Sequence, residues 1–173
     1  MDIFPAVTAS RFVQIEIGTL FLSLDRERFF ALKTAPITPE EQPLMLCLGP
    51  TFPADIQESA LMNGERTNLL SFGKDFSVLL PSDPAAWVPE AEIRHPDVRR
   101  PVHLAVYEGV VFVCANASEW EGRYAQCFVD LSSGSVTERL PGRAVYTNRW
   151  QIAIIKPHYP PRMLVSYPLN PVV

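Results

Sequence analysis

Residues 102–140 read VHLAVYEGVVFVCANASEWEGRYAQCFVDLSSGSVTERL, and this stretch decides the fold class. The β-rich runs VHLAVY and VVFVCA flank Glu108-Gly109, a two-residue turn in which glycine supplies a positive φ, so they predict a β-hairpin. Tyr124–Leu131 and Ser135–Leu140 predict a second hairpin, reversed by a three-residue turn that ends in glycine. The stretch therefore predicts four consecutive antiparallel strands.

Alternating hydrophobicity extends the β pattern to the rest of the chain. The first 35 residues predict a β-meander, and a proline-bracketed segment near the end predicts an edge strand. Outside the two hairpins, strands are predicted at 12–17, 20–24, 28–33, 44–48, 76–80, 145–155 and 163–167. Two short helices are predicted between residues 54 and 95, one from an Asp55 cap through Asn63 and one at Asp83-Pro84.

The composition agrees with a folded domain that has few helices. Hydrophobic residues make up 47% of the 173 residues and charged residues 20%, which is typical of a globular chain. Seventeen prolines against eight glycines disfavour long helices. We therefore predict a single domain over 1–173 that is mainly antiparallel β. Its architecture is predicted to be a sandwich, an open barrel or a propeller-like meander.

Charge and segment composition exclude several classes of protein. The formal net charge of −4 disfavours binding to nucleic acid, which needs a surplus of lysine and arginine on one face. Residues 1–10 contain no lysine or arginine, so no signal peptide is predicted, and no apolar run approaches the ~20 residues that cross a bilayer. Three scattered cysteines do not predict a disulfide framework. We expect a cytoplasmic protein with no membrane association.

One histidine and two cysteines are the strongest candidates for chemistry. In the predicted hairpin His103 faces Cys114, and a pairing that starts at Ala115 would place Cys127 on the same face. A metal site would need further ligands from elsewhere, and a Cys-His nucleophile would need access to substrate. Free cysteine is also among the most buried residue types, so a core position is the simplest interpretation. No catalytic residue, metal or cofactor is assigned.

Aromatic residues in polar segments are the strongest candidates for binding. Trp120 lies in the predicted eight-residue loop 116–123, where its indole either faces a partner or folds back over the end of the sheet. Tryptophan, tyrosine and arginine dominate the energetics of protein interfaces. The predicted binding residues are Trp120, Tyr124, Arg149, Trp150 and Tyr159.

Two functions remain open on these observations. The first is a non-catalytic binding, inhibitor or adaptor module that acts through a protein partner, as small acidic bacterial immunity or adaptor proteins do. The second is a small-ligand-binding β-barrel, or an enzyme with a pocket near His103 and Cys114. An edge strand near the proline-rich tail is also a candidate for pairing in a homodimer.

Overall fold

The computed structural model describes residues 7–24, 28–36, 43–49, 53–58, 69–89, 102–120 and 123–168. Residues 53, 57, 58, 89, 117–120 and 123–125 are described by their backbone alone. The strands are β1 Thr8–Ser10, β2 Leu20–Ser23, β3 Phe30–Thr34, β4 Leu44–Leu48, β5 Pro53–Glu58, β6 Leu69–Gly73, β7 Ser77–Leu79, β8 Val88–Pro89, β9 Leu104–Tyr107, β10 Val110–Trp120, β11 Arg123–Asp130, β12 Val136–Thr137, β13 Val145–Thr147, β14 Trp150–Ile154 and β15 Arg162–Tyr167. Two 3-10 helices, Phe12–Gln14 and Pro84–Ala86, complete the described elements.

The strands form two sheets. The larger sheet has the order β1-β6-β2-β3-β4-β5-β10-β9-β13-β8, with β11 on the other side of β10 and β12 beside β11. The smaller sheet has the order β15-β14-β7. Only the short pairing of β5 with β10 is parallel among the described strands. These strands do not close into a barrel, so the fold is mainly β with the arrangement of an open sandwich, as one of the predicted architectures required.

Strand β4 shows why the hydrophobic pattern produces this arrangement. All five of its residues are buried, because both faces of the strand are covered. Leu44, Leu46 and Leu48 belong to the largest core cluster, while Met45 and Cys47 belong to a second cluster on the opposite face. A continuous apolar run is typical of a strand that is covered on both faces.

The two predicted hairpins are confirmed. Glu108 (φ +48°) and Gly109 (φ +81°) form the turn between β9 and β10, as a type I′ turn requires. Gly134 (φ +73°) ends the turn between β11 and β12. A side chain at Gly134 would place its Cβ 2.8 Å from the Lys33 carbonyl oxygen, so only glycine fits where this turn contacts β3.

The predicted strand at 12–17 is wrong. Phe12–Gln14 form a 3-10 helix instead, with the Gln14 N–H donating to the Arg11 carbonyl at 2.9 Å. The buried Lys33 ammonium explains the difference, because it donates to the Phe12 carbonyl at 3.0 Å and to the Ile15 carbonyl at 2.8 Å. Both carbonyls therefore bind a side chain instead of a strand ladder.

The helix predicted at 55–63 is also wrong, since residues 53–58 form strand β5 and 59–63 lie outside the described residues. Asp55 pairs with Asn116 in the parallel ladder, and its carboxylate accepts a hydrogen bond from the Asn116 side chain. The carboxylate thus joins two strands and does not cap a helix. The second predicted helix is confirmed as the turn Pro84–Ala86, where Asp83 Oδ1 accepts from the Ala85 N–H at 2.9 Å.

The long strand predicted at 145–155 is divided between the two sheets. Thr147 Oγ1 accepts a hydrogen bond from the Arg149 N–H at 3.1 Å, and this local turn redirects the chain. Strand β13 before the turn pairs with β9, and β14 after it pairs with β7 and β15. The expected edge strand near the tail is confirmed as β15.

We expect Lys33→Met to lower the free energy of unfolding by about 2 kcal/mol, because it leaves two buried carbonyl oxygens without their donor. Lys33 is 6% exposed and its ammonium also lies 4.8 Å from the centre of the Phe12 ring. Lys74→Met is the matched control, since the Lys74 ammonium forms an exposed ion pair with Glu16, and this variant should be almost as stable as the wild type. Urea denaturation of both variants checks this, and equal losses would contradict the proposed role of Lys33.

Candidate functional site

The structure places the predicted binding residues in different environments. Trp150 is 2% exposed, stacks on Tyr167 at 4.4 Å between ring centroids and donates from Nε1 to the Val102 carbonyl at 3.0 Å. It is therefore a core residue, and its assignment to an exposed binding surface is corrected. The indole is buried because β14 turns this side chain towards the larger sheet.

The other four residues are separated along the fold or only partly described. Arg149 and Tyr159 are both exposed, but they flank opposite ends of β14. At ~3.3 Å per strand residue, the five residues of β14 alone hold them more than about 15 Å apart along the strand direction. Trp120 and Tyr124 lie in β10 and β11, and their side chains are outside the described part of the structure.

The expected loop at 116–123 is mostly strand. Strand β10 continues to Trp120, which pairs with Arg123 across a short connection. An irregularity in register between Ala117 and Trp120 accommodates this extension. Trp120 therefore lies at the end of a long hairpin instead of in a broad loop.

The predicted grouping of His103, Cys114 and Cys127 is half confirmed. His103 lies opposite Cys114, whose N–H donates to the His103 carbonyl at 2.9 Å. Cys127, however, pairs with Ala115, which is the next residue after Cys114. Because side chains alternate along a strand, this pairing places Cys127 on the face of the sheet opposite to Cys114. The two thiols and the imidazole do not converge.

The thiols are in a state that does not favour nucleophilic chemistry. Burial, and secondarily the nearby Cys127, raises the pKa of Cys114 to about 12. Burial likewise raises the pKa of Cys127 to about 12. Both groups are therefore protonated thiols at neutral pH, whereas the thiolate is the nucleophile and metal ligand. The described residues include no group of three histidine, cysteine or acidic side chains that could hold a metal ion.

The described residues line a half-open groove of about 300 Å³. It lies where β7 of the smaller sheet faces the β9–β10 turn and the β11–β12 turn of the larger sheet. The lining residues are Lys74, Phe76, Val78, Gly109, Val110, Val111, Leu131 and Ser132. We call this feature the β7 groove.

The floor of the β7 groove is continuous with the hydrophobic core. Leu131 is a buried member of the largest core cluster, and Phe76, Val78 and Val111 are partly buried residues packed against the same cluster. Val110, at the rim, is 36% exposed. The groove is thus a place where the main core opens to solvent between the two sheets.

Polar groups border this apolar floor on two sides. Lys74 Nζ lies 2.8 Å from Glu16 Oε2, and the hydrogen bond and charge of Lys74 lower the pKa of Glu16. Ser132 Oγ donates to Asp130 Oδ1 at 2.7 Å. Burial acts to raise the pKa of Asp130, but hydrogen bonds from Ser132 and Ser133 outweigh it and lower the pKa. The Ser132 hydroxyl is therefore committed to an ionised carboxylate.

Sequence reasoning did not find the β7 groove. Its residues come from three separate segments, 74–78, 109–111 and 131–132, which only the pairing of distant strands brings together. Each segment alone has the pattern of an ordinary strand or turn. The alternation of Phe76 and Val78 was visible, but it does not indicate that these side chains are incompletely covered.

Comparison with known proteins gives no relative from which a function could be inferred. No protein-family model matches the chain, and searches of curated proteins and of solved structures find no significant match. No helix within the described ranges has the length and hydrophobicity needed to cross a membrane.

Proposed function

We propose that this protein is a non-catalytic binding module that takes an extended apolar segment of a partner protein into the β7 groove. The observation that carries the proposal is the opening of the main core at this groove. Phe76, Val78 and Val111 are attached to the core but remain partly exposed. A partner side chain placed there would bury apolar surface that the described residues of the chain do not cover.

The neighbouring strand supports an extended conformation of the bound segment. Among the described strands, β7 pairs with β14 alone, so it is an edge of the smaller sheet. An edge strand presents backbone N–H and C=O groups that can pair with an added strand. Backbone pairing along β7 would hold the segment in place while the groove receives its apolar side chains.

A small-ligand carrier is the second candidate. The groove volume of about 300 Å³ is at the lower end of the range for pockets that bind small molecules. This location differs from the pocket predicted near His103 and Cys114, since neither residue lines the β7 groove. The open edge of β7 favours a peptide over a small ligand, because only a peptide can pair its backbone with the strand.

Selection from a displayed library of random peptides tests the proposal. Peptides that bind the wild type should bind Val110→Glu at least about tenfold more weakly, because this change places a carboxylate at the apolar rim of the groove. Val145→Glu is the matched control, because Val145 is an exposed strand valine that does not line the groove. Its affinity for the peptides should equal that of the wild type.

Thermal unfolding of both variants checks that neither change disrupts the fold, as expected for valines that are 36% and 51% exposed. The proposal fails if no peptide is enriched, or if enriched peptides bind Val110→Glu as well as they bind the wild type. Binding of small apolar dyes with the same Val110 dependence, in the absence of any peptide, would favour the carrier.

A further inference from the structure

We infer that the β7 groove selects a segment with a carboxylate beside its apolar residues, and that this carboxylate replaces Glu16 at Lys74. The inference rests on the proposed function and specifies the chemistry of the partner. It follows from the charge of the groove and from the contact between Lys74 and Glu16.

The charge of the groove lining favours an acidic residue in the partner segment. Lys74 is the only charged residue in the described lining of the groove. The other polar side chain in that lining, Ser132, already donates its hydroxyl to Asp130 at 2.7 Å. A bound segment therefore meets an apolar floor with the Lys74 ammonium on one side and the Asp130 carboxylate behind Ser132 on the other. An acidic partner residue on the Lys74 side matches the groove, and a basic one there opposes it.

The 2.8 Å contact between Glu16 Oε2 and Lys74 Nζ shows a position from which a carboxylate can bind the ammonium. The Glu16 side chain is 80% exposed and that of Lys74 is 48% exposed, so water and salt screen the pair and it exchanges readily. Glu16 thus stands in for the carboxylate of the partner.

A segment bound in the groove strengthens the ion pair between its carboxylate and Lys74. A segment that covers Phe76 and Val110 excludes water from one side of Lys74, and an ion pair is stronger where the local dielectric constant is lower. Glu16 lies outside the described lining of the groove and gains less from this exclusion. The carboxylate of the partner therefore competes with the exposed Glu16 side chain for the Lys74 ammonium.

Peptides selected on the full-length wild type provide the test. We expect an enriched aspartate or glutamate next to the apolar positions. Replacing this acid by asparagine or glutamine should weaken binding to the wild type about fivefold and should leave binding to Lys74→Met unchanged. Glu16→Gln should bind the acidic peptide more tightly than the wild type does, because it removes the competing carboxylate. Val145→Glu serves again as the control.

Three results would distinguish failure of the inference from failure of the proposed function. Peptides that depend on Val110 but bind equally well with and without the acid would overturn the inference and leave the proposed function standing. An effect of the acid that persists in Lys74→Met would also overturn the inference. If no selected peptide depends on Val110, the proposed function fails and the inference fails with it.

Discussion

We expect Trp150→Ala to lower the free energy of unfolding by about 4 kcal/mol, in the range for truncation of a buried tryptophan. Trp150 belongs to the smaller sheet, but its Nε1 donates to the Val102 carbonyl next to β9 of the larger sheet. Its ring stacks on Tyr167 in the neighbouring strand β15. Removing the indole creates a cavity between the sheets and also leaves the buried Val102 carbonyl without a donor.

Two further variants separate these contributions. Trp150→Phe keeps an aromatic ring beside Tyr167 but loses the hydrogen bond, so it should cost about 1–2 kcal/mol. Arg149→Ala changes the exposed neighbouring residue and should leave stability almost unchanged. Urea denaturation followed by far-UV circular dichroism suits all three, because this signal comes mainly from the backbone, whereas fluorescence would depend on the tryptophan that is removed. A wild-type midpoint for Trp150→Ala would show that the indole does not join the sheets.

The structure was most predictable where turn chemistry acts locally. Gly109 supplies one of the two positive φ angles that a type I′ turn requires, and the register that places His103 opposite Cys114 follows from this turn. Strand β4 was equally clear, since its five apolar residues lie immediately before Gly49-Pro50. In these segments the local signal and the tertiary contacts favour the same conformation.

Predictions failed where distant residues decide the conformation. The alternating pattern from Phe12 to Ile17 is typical of a strand, but the ammonium of Lys33 binds the carbonyls that a strand would use. Aspartate is a common helix cap, but the Asp55 carboxylate accepts a hydrogen bond from the Asn116 side chain instead. No local pattern contains either partner, because each lies many residues away along the chain.

The error in the register of Cys127 has a similar origin. The hypothesis placed a loop at 116–123, whereas β10 extends to Trp120 and pairs with Arg123. The irregular register between Ala117 and Trp120 then determines which face each cysteine occupies. The candidate site was still less predictable, because the β7 groove depends on how two sheets are arranged and on which core residues stay uncovered.

We expect the stability of the protein to fall steeply above pH 9. Burial raises the pKa values of Cys47, Cys114 and Cys127 to about 12 in the folded protein, from an ordinary value of 9.0. Between these values the folded chain keeps its thiol protons while the unfolded chain releases them, so rising pH favours unfolding. Each thiol should contribute about 1.4 kcal/mol of lost stability by pH 10, or about 4 kcal/mol for the three together.

Two other groups act in the same pH range with opposite signs. Burial raises the pKa of Tyr167, which adds to the loss of stability as the unfolded tyrosine ionises. Burial lowers the pKa of Lys33, so the folded protein releases this proton first and gains stability as pH approaches 10.5. Ionisation of the three thiols and of Tyr167 thus lowers the stability of the protein as pH rises, whereas deprotonation of Lys33 raises it. The net change is a loss of stability.

Urea denaturation between pH 7 and pH 10.5, with a reductant present, measures this dependence. Cys127→Ala is the most direct variant, because it should reduce the alkaline loss attributed to thiols by about one third whatever its effect at pH 7. The cavity left by the small truncation shifts stability equally at every pH, whereas removal of an ionisable group changes the slope. An unchanged slope in this variant would mean that the Cys127 thiol ionises equally easily in the folded and unfolded protein, which is incompatible with its burial against Val113 and Val129 in the main core.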